Sequence, residues 1–118
     1  MSEKRIFTDS LNDILNEINK ISKFIGKKSY AKFVTDEKTI YAVTRSLEII
    51  GEATKNIPVD IKNTYNQIPW SKISGMRNKL IHEYFGVDLE TLWNTIKNRL
   101  PEIKQPIEEM LNSFNTKK

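Results

Sequence analysis

The chain has 118 residues, a formal net charge of +4, one histidine and no cysteine. That length fits a single domain over 1–118 with a core that needs no covalent staple, and the lack of cysteine excludes disulfides and thiolate zinc sites. The opening Met1-Ser-Glu-Lys-Arg-Ile-Phe7 is too polar for a signal peptide, and no apolar run approaches the ~20 residues of a membrane span, so a cytoplasmic protein is expected.

Leu11, Ile14, Leu15, Ile18, Ile21 and Ile25 recur at helical spacing and predict a first helix. Thr8, Asp9 or Ser10 can cap it and Gly26 can stop it. The stretch from Lys27 to Val34 is a basic connector with room for one helical turn. A second helix is expected from Thr35-Asp36 to about Asn56, on the stripe Ile40, Val43, Leu47, Ile50, Thr54 and Ile57. Gly51 inside it costs about 1 kcal/mol relative to alanine, which a close helix approach would offset. Pro58 ends this helix and can occupy the first position of a short one over 59–66.

A further helix is expected near Ser71–Phe85, with Trp70 as a core anchor before it and Gly86 as its stop. Asp88 then caps a last helix whose stripe is Leu89, Leu92, Trp93, Ile96, Leu100, Ile103, Ile107 and Met110. Pro101 and Pro106 predict a kink, or a break with restart at Pro101. The polar stretch 112–118 is expected to fray. No strand-like alternation competes, so the expected class is all-α: an antiparallel four-helix bundle with a short extra helix and a kinked C-terminal helix.

Chemistry concentrates in Gly75-Met-Arg-Asn-Lys-Leu-Ile-His-Glu-Tyr-Phe-Gly86. One histidine cannot build a multi-histidine metal site within one copy. At about 100° per residue, Arg77 and Tyr84 share one line along a helix, and Asn78 and His82 share the neighbouring line. Arg77 and His82 stand about 140° apart on an ideal helix. The long arginine arm, a distortion near Gly75 or Gly86, or a second copy across a two-fold axis could bring them together. Plainer roles fit the same residues. His82 could be a hydrogen-bonded structural residue, Arg77 could pair with Glu52, Tyr84 could sit at the core edge, and Lys79 with Glu83 could form an exposed ion pair.

The stretch Ile68-Pro-Trp-Ser-Lys-Ile-Ser-Gly-Met-Arg-Asn-Lys-Leu-Ile-His-Glu-Tyr84 closely resembles the signature of the HepT-like family of HEPN-domain toxins. Leu47-Glu-Ile-Ile-Gly-Glu-Ala53 looks like the family's second-helix segment, and Val87-Asp-Leu-Glu-Thr-Leu-Trp93 like the start of its last long helix. The family motif, Arg-x4-His-x-Tyr, is filled here by Arg77, His82 and Tyr84, with Asn78 in the polar position after the arginine.

The resemblance implies a metal-independent endoribonuclease, the toxic half of a type VII toxin–antitoxin system. It also implies a homodimer with a composite cleft and a cognate MntA-type nucleotidyltransferase antitoxin that attaches AMP to Tyr84. In that setting His82 would move the proton, Arg77 would hold the scissile phosphate, and Asn78 would orient His82 or bond the phosphate. Lys72 and Lys79 are candidate RNA contacts, as are Lys27, Lys28 and Lys32, although a solvated surface explains these lysines as well. A second function stays open: a non-catalytic nucleotide- or polyanion-binding partner subunit of a nucleotidyltransferase.

Overall fold

The computed structural model describes residues 3–75 and 89–116, with side chains from Phe7 to Gly75 and from Leu89 to Phe114. Most of the described residues are helical, with no strand among them. In chain order the helices are α1 (Glu3–Ile25), α2 (Tyr30–Phe33), α3 (Glu37–Lys55), α4 (Val59–Thr64), α5 (described over 70–75), α6 (Leu89–Asn94) and α7 (Leu100–Thr116). A π-helical turn, Thr95–Arg99, joins α6 to α7.

The helix α1 begins upstream of the Thr8–Ser10 caps expected from sequence. Phe7 explains the difference, because it continues the stripe Leu11, Ile14, Ile18, Ile21, Ile25 by one turn and is itself buried. Its ring meets Phe114 edge to face at 4.9 Å. Gly26 stops the helix in the left-handed region (φ 54°), where its N–H still reaches Ser22 O at 2.9 Å. The connector holds a single turn, α2, capped by the Ser29 side chain, and Phe33 carries it into the core.

Asp36 is the N-cap of α3: its carboxylate accepts from Thr39 N at 3.1 Å and from the Thr39 hydroxyl at 2.7 Å. The stripe Ile40, Val43, Leu47, Ile50, Thr54 faces the core, with Gly51 buried beside it. Buried Thr54 donates its hydroxyl to Ile50 O at 2.8 Å, so its polar group costs little inside the bundle. Pro58 lies one position earlier than expected: it is the extended N-cap of α4 rather than its first helical residue. The helix α4 ends at Thr64, shorter than the expected 59–66.

Packing makes this a bundle. The longest helix, α1, lies against both α3 and α7, and the small α2 sits on α3. The three long helices share one apolar core that also takes in Ile68, Trp70 and Ile73 from the α5 region. Each fully buried leucine or isoleucine contributes about 1.5–3 kcal/mol relative to exposure. Among the polar groups inside the bundle, Glu17, only 7 % exposed, accepts from Lys20 Nζ at 3.1 Å, whereas the buried Thr44 hydroxyl has no hydrogen-bond partner among the described residues.

Of the kink or the break expected at Pro101, the C-terminal stretch shows no break. Helical structure continues through both prolines, and the irregularity lies just before Pro101, where Leu100 N bonds Thr95 O in the wide i→i+5 pattern. Two forces favour this. Pro101 has no N–H, and its ring would clash with the Lys97 carbonyl of a regular helix. The buried residues Leu92, Ile96 and Leu100 are spaced by four, which in a regular helix would drift about 80° away from one face. A wider turn removes part of that drift and keeps all of them on the core. The helix α7 then runs through the stretch from Asn112 to Thr116, because Phe114 has two ring partners, Phe7 and Tyr65.

Candidate functional site

Arg77, Asn78, Lys79, His82 and Tyr84 lie in 76–88, outside the described residues. What the fold displays is the frame on either side of them. On the entry side, Ile68, Trp70 and Ile73 are buried. The Trp70 indole N–H donates to Tyr65 O at 3.1 Å, Trp70 N to Ile68 O at 2.8 Å, and Ile73 N to Pro69 O at 3.1 Å. The start of α5 is thereby held by three apolar anchors and by hydrogen bonds from main chain and side chain. Gly75 is helical, and a Cβ built on it would meet no neighbour within 4 Å among the described residues.

On the exit side, α6 buries Leu92 and places Trp93 against two rings, Tyr30 at 5.8 Å and Phe33 at 5.1 Å. The π-helical turn follows at once. Such turns widen a helix locally and recur at functional sites, and here the widened segment faces the entry of α5. Between them lies a groove of about 330 Å³ lined by Pro69, Lys72 and Ile73 on one wall and Thr95, Arg99, Glu102 and Ile103 on the other.

Of the residues expected from sequence to contact RNA, Lys72 is in this groove and exposed. Arg99 and Thr95 were not singled out by sequence reading. Both lie on the last helix, and only the π-helical turn shows which of its polar residues look toward α5. Arg99 forms an exposed pair with Glu102 at 3.9 Å, a contact of little energetic weight. Among the described lining residues, two cations and one carboxylate leave the groove weakly basic. Glu52, the alternative partner considered for Arg77, is within 3.5 Å of Lys55. Among the described residues no group of three or more histidines, cysteines or carboxylates could hold a metal ion. No described helix is long and apolar enough to cross a membrane.

Comparison with known proteins bears on the segment that the frame surrounds. The sequence model of the family described as "Ribonuclease HepT-like" matches residues 14–110. A protein of Thermococcus cleftensis named "Probable ribonuclease HepT" is 47 % identical over 107 residues, covering 91 % of this chain and 97 % of that protein. A protein of Methanocaldococcus jannaschii named "Putative RNase MJ0125" is 44 % identical over 114 residues, covering 97 % of this chain and 98 % of its own length. No solved structure matches the chain.

Proposed function

This chain belongs to the HepT-like ribonuclease family, and on that premise we propose that it is a metal-independent endoribonuclease, the toxin of a type VII toxin–antitoxin pair acting in the cytoplasm. The observation that carries the reading is the match over 14–110, which spans a stretch where Arg77, His82 and Tyr84 fill every position of Arg-x4-His-x-Tyr.

The chemistry needs no cofactor. A ribose 2′-hydroxyl gives its proton to His82 and attacks the adjacent phosphorus. The bond from phosphorus to the 5′-oxygen breaks, and that oxygen takes a proton, leaving a 2′,3′-cyclic phosphate and a 5′-hydroxyl. A histidine with a reference pKa of about 6.5 suits either proton transfer at neutral pH. Arg77 holds the non-bridging oxygens as charge builds on them, and Asn78 orients the imidazole or bonds the phosphate. In a homodimer, His82 of the partner subunit supplies the second proton-transfer group. That assembly also answers the angle of about 140° between Arg77 and His82 on one helix. DNA, which lacks the 2′-hydroxyl, is not cut.

Control falls to Tyr84. A cognate MntA-type nucleotidyltransferase attaches AMP to its hydroxyl, and the added phosphate competes for Arg77 and repels RNA. The experiment is RNA cleavage in EDTA by protein purified free of antitoxin, beside His82→Ala prepared identically. Cyclic-phosphate ends from the wild type alone support the reading. An absence of cutting on any cellular RNA would favour a non-catalytic polyanion-binding subunit instead.

A further inference from the structure

The positive charge of this chain is not spread evenly. Residues 18–35 contain Lys20, Lys23, Lys27, Lys28 and Lys32 and no carboxylate, a formal +5 against +4 for the whole protein. The remainder of the chain is therefore close to neutral, and the basic excess belongs to the end of α1, its connector and α2. Lys20 is engaged with Glu17 at 3.1 Å, and Lys28 reaches Phe24 O at 3.2 Å with the Asp36 carboxylate 3.9 Å away. Lys23, Lys27 and Lys32 are exposed.

Aromatic rings lie in the same place. Tyr30 is 39 % exposed although its ring stands edge to face against Trp93 at 5.8 Å. Trp93 is backed by fully buried Phe33 at 5.1 Å, and Lys97 from the π-helical turn sits 5.2 Å from the Trp93 ring centre. Tyr30 is thus an exposed ring held by a rigid aromatic support, with lysines on both sides along the chain and another across the contact. An exposed tyrosine on a flexible loop would lose entropy on stacking with a ligand. Here the Ser29 cap and the Trp93 contact have already fixed its position.

We propose that Tyr30 and Trp93, with Lys27, Lys32 and Lys97, form a platform for single-stranded RNA, on which a base stacks while the lysines follow the backbone. Sites for single strands combine these two elements, because every base offers a π-face and every phosphate a charge. Connectivity places the platform within reach of the motif. Five residues from Tyr84 to Leu89 span at most about 18 Å, and Leu89 to Trp93 adds about 6 Å along α6. One strand of a few nucleotides can therefore reach both. The inference rests on the ribonuclease reading for its choice of ligand, and names how that substrate is gripped outside the reacting phosphate.

The test is fluorescence anisotropy with the full chain and a labelled 2′-O-methyl oligouridylate of about 12 nucleotides, within the range single-strand sites cover. This probe has no free 2′-hydroxyl and survives the measurement. Tyr30→Ala is expected to bind roughly tenfold more weakly, and Tyr30→Phe, which keeps the ring, close to wild type. Removing Lys27 and Lys32 together should lower the slope of log affinity against log salt by about 0.7 for each lysine. Lys62→Ala, on α4 beyond the far end of α3, should change neither quantity.

Wild type that fails to bind the probe, or Tyr30→Ala within about twofold of wild type, overturns the platform. So does a changed oligomeric mass in Tyr30→Ala with unchanged affinity, which would assign the patch to contacts between copies. Cutting of unmodified RNA is scored separately. Tyr30-dependent binding without any cutting would leave the platform standing and defeat the ribonuclease reading, and cutting with Tyr30-independent binding would do the reverse.

Discussion

Replacing Trp70 with phenylalanine removes one hydrogen-bond donor and the outer edge of a buried ring at the point where the chain enters α5. Two losses add. The indole N–H gives up its bond to Tyr65 O at 3.1 Å, a contribution of about 1 kcal/mol. Tyr65 O keeps a second donor, Ile68 N at 3.2 Å, so the carbonyl is not orphaned and the larger penalty for an unsatisfied group does not apply. Trp70 is only 7 % exposed, so the smaller ring also gives up roughly 40 Å² of buried apolar surface, about 1 kcal/mol at ~25 cal/mol per Å². The sum is about 2 kcal/mol. For a domain of this size that lowers Tm by roughly 6–10 °C. Thermal unfolding followed by far-UV circular dichroism reads it directly, with a urea titration to check that the slope with denaturant is unchanged. A fall of less than about 2 °C would mean that the anchor contributes neither the hydrogen bond nor the packing assigned to it, and the account of how the entry to the motif stretch is held would be wrong.

His82→Ala should lower RNA cleavage by at least 10²-fold, about what one general acid–base group supplies, while the protein remains folded by circular dichroism. Tyr84→Phe should keep cutting RNA in the presence of the nucleotidyltransferase and ATP, with no added AMP mass on the intact protein; a variant that is still labelled and silenced would remove Tyr84 as the control point. The hydroxyl and the backbone N–H of Thr39 both donate to Asp36 and hold its carboxyl below the ordinary carboxylate range. Its capping stabilisation is therefore present above the unfolded-state pKa and lost as pH falls through the lower folded value. Asp36→Asn can still accept from Thr39 N but does not titrate. It should melt below the wild type at neutral pH, with the gap closing in acid; a gap that stayed constant down to about pH 2 would show that the carboxylate charge adds nothing.

How much could be read without a structure differs from element to element. The stripes of α1 and α3 were legible because each long helix buries one face, and burial at steps of three and four residues is written directly into residue type. Gly26 and Asp36 were legible for a different reason, since their roles depend on one residue's backbone freedom or side-chain acceptor. The start of α1 was not, because Thr8 and Ser10 look like caps until Phe7 is seen against Phe114 from the other end of the chain. The path through Pro101 was legible only as a choice between a kink and a break. Proline chemistry favours a break, but the burial of Leu92, Ile96 and Leu100 on one core outweighs it, and a widened turn satisfies both.

The site divides along the same line. Arg77, His82 and Tyr84 are a matter of residue identity and spacing, so the sequence by itself shows the family and offers them as candidates for its motif. Lys72 across from Arg99, and Tyr30 against Trp93, join residues 27 and 63 positions apart. No local pattern encodes such pairs, because they depend on how far each helix has turned about its axis when the core closes. That rotation is fixed by the packing of α1, α3 and α7 together, and so it was decided only in the tertiary structure.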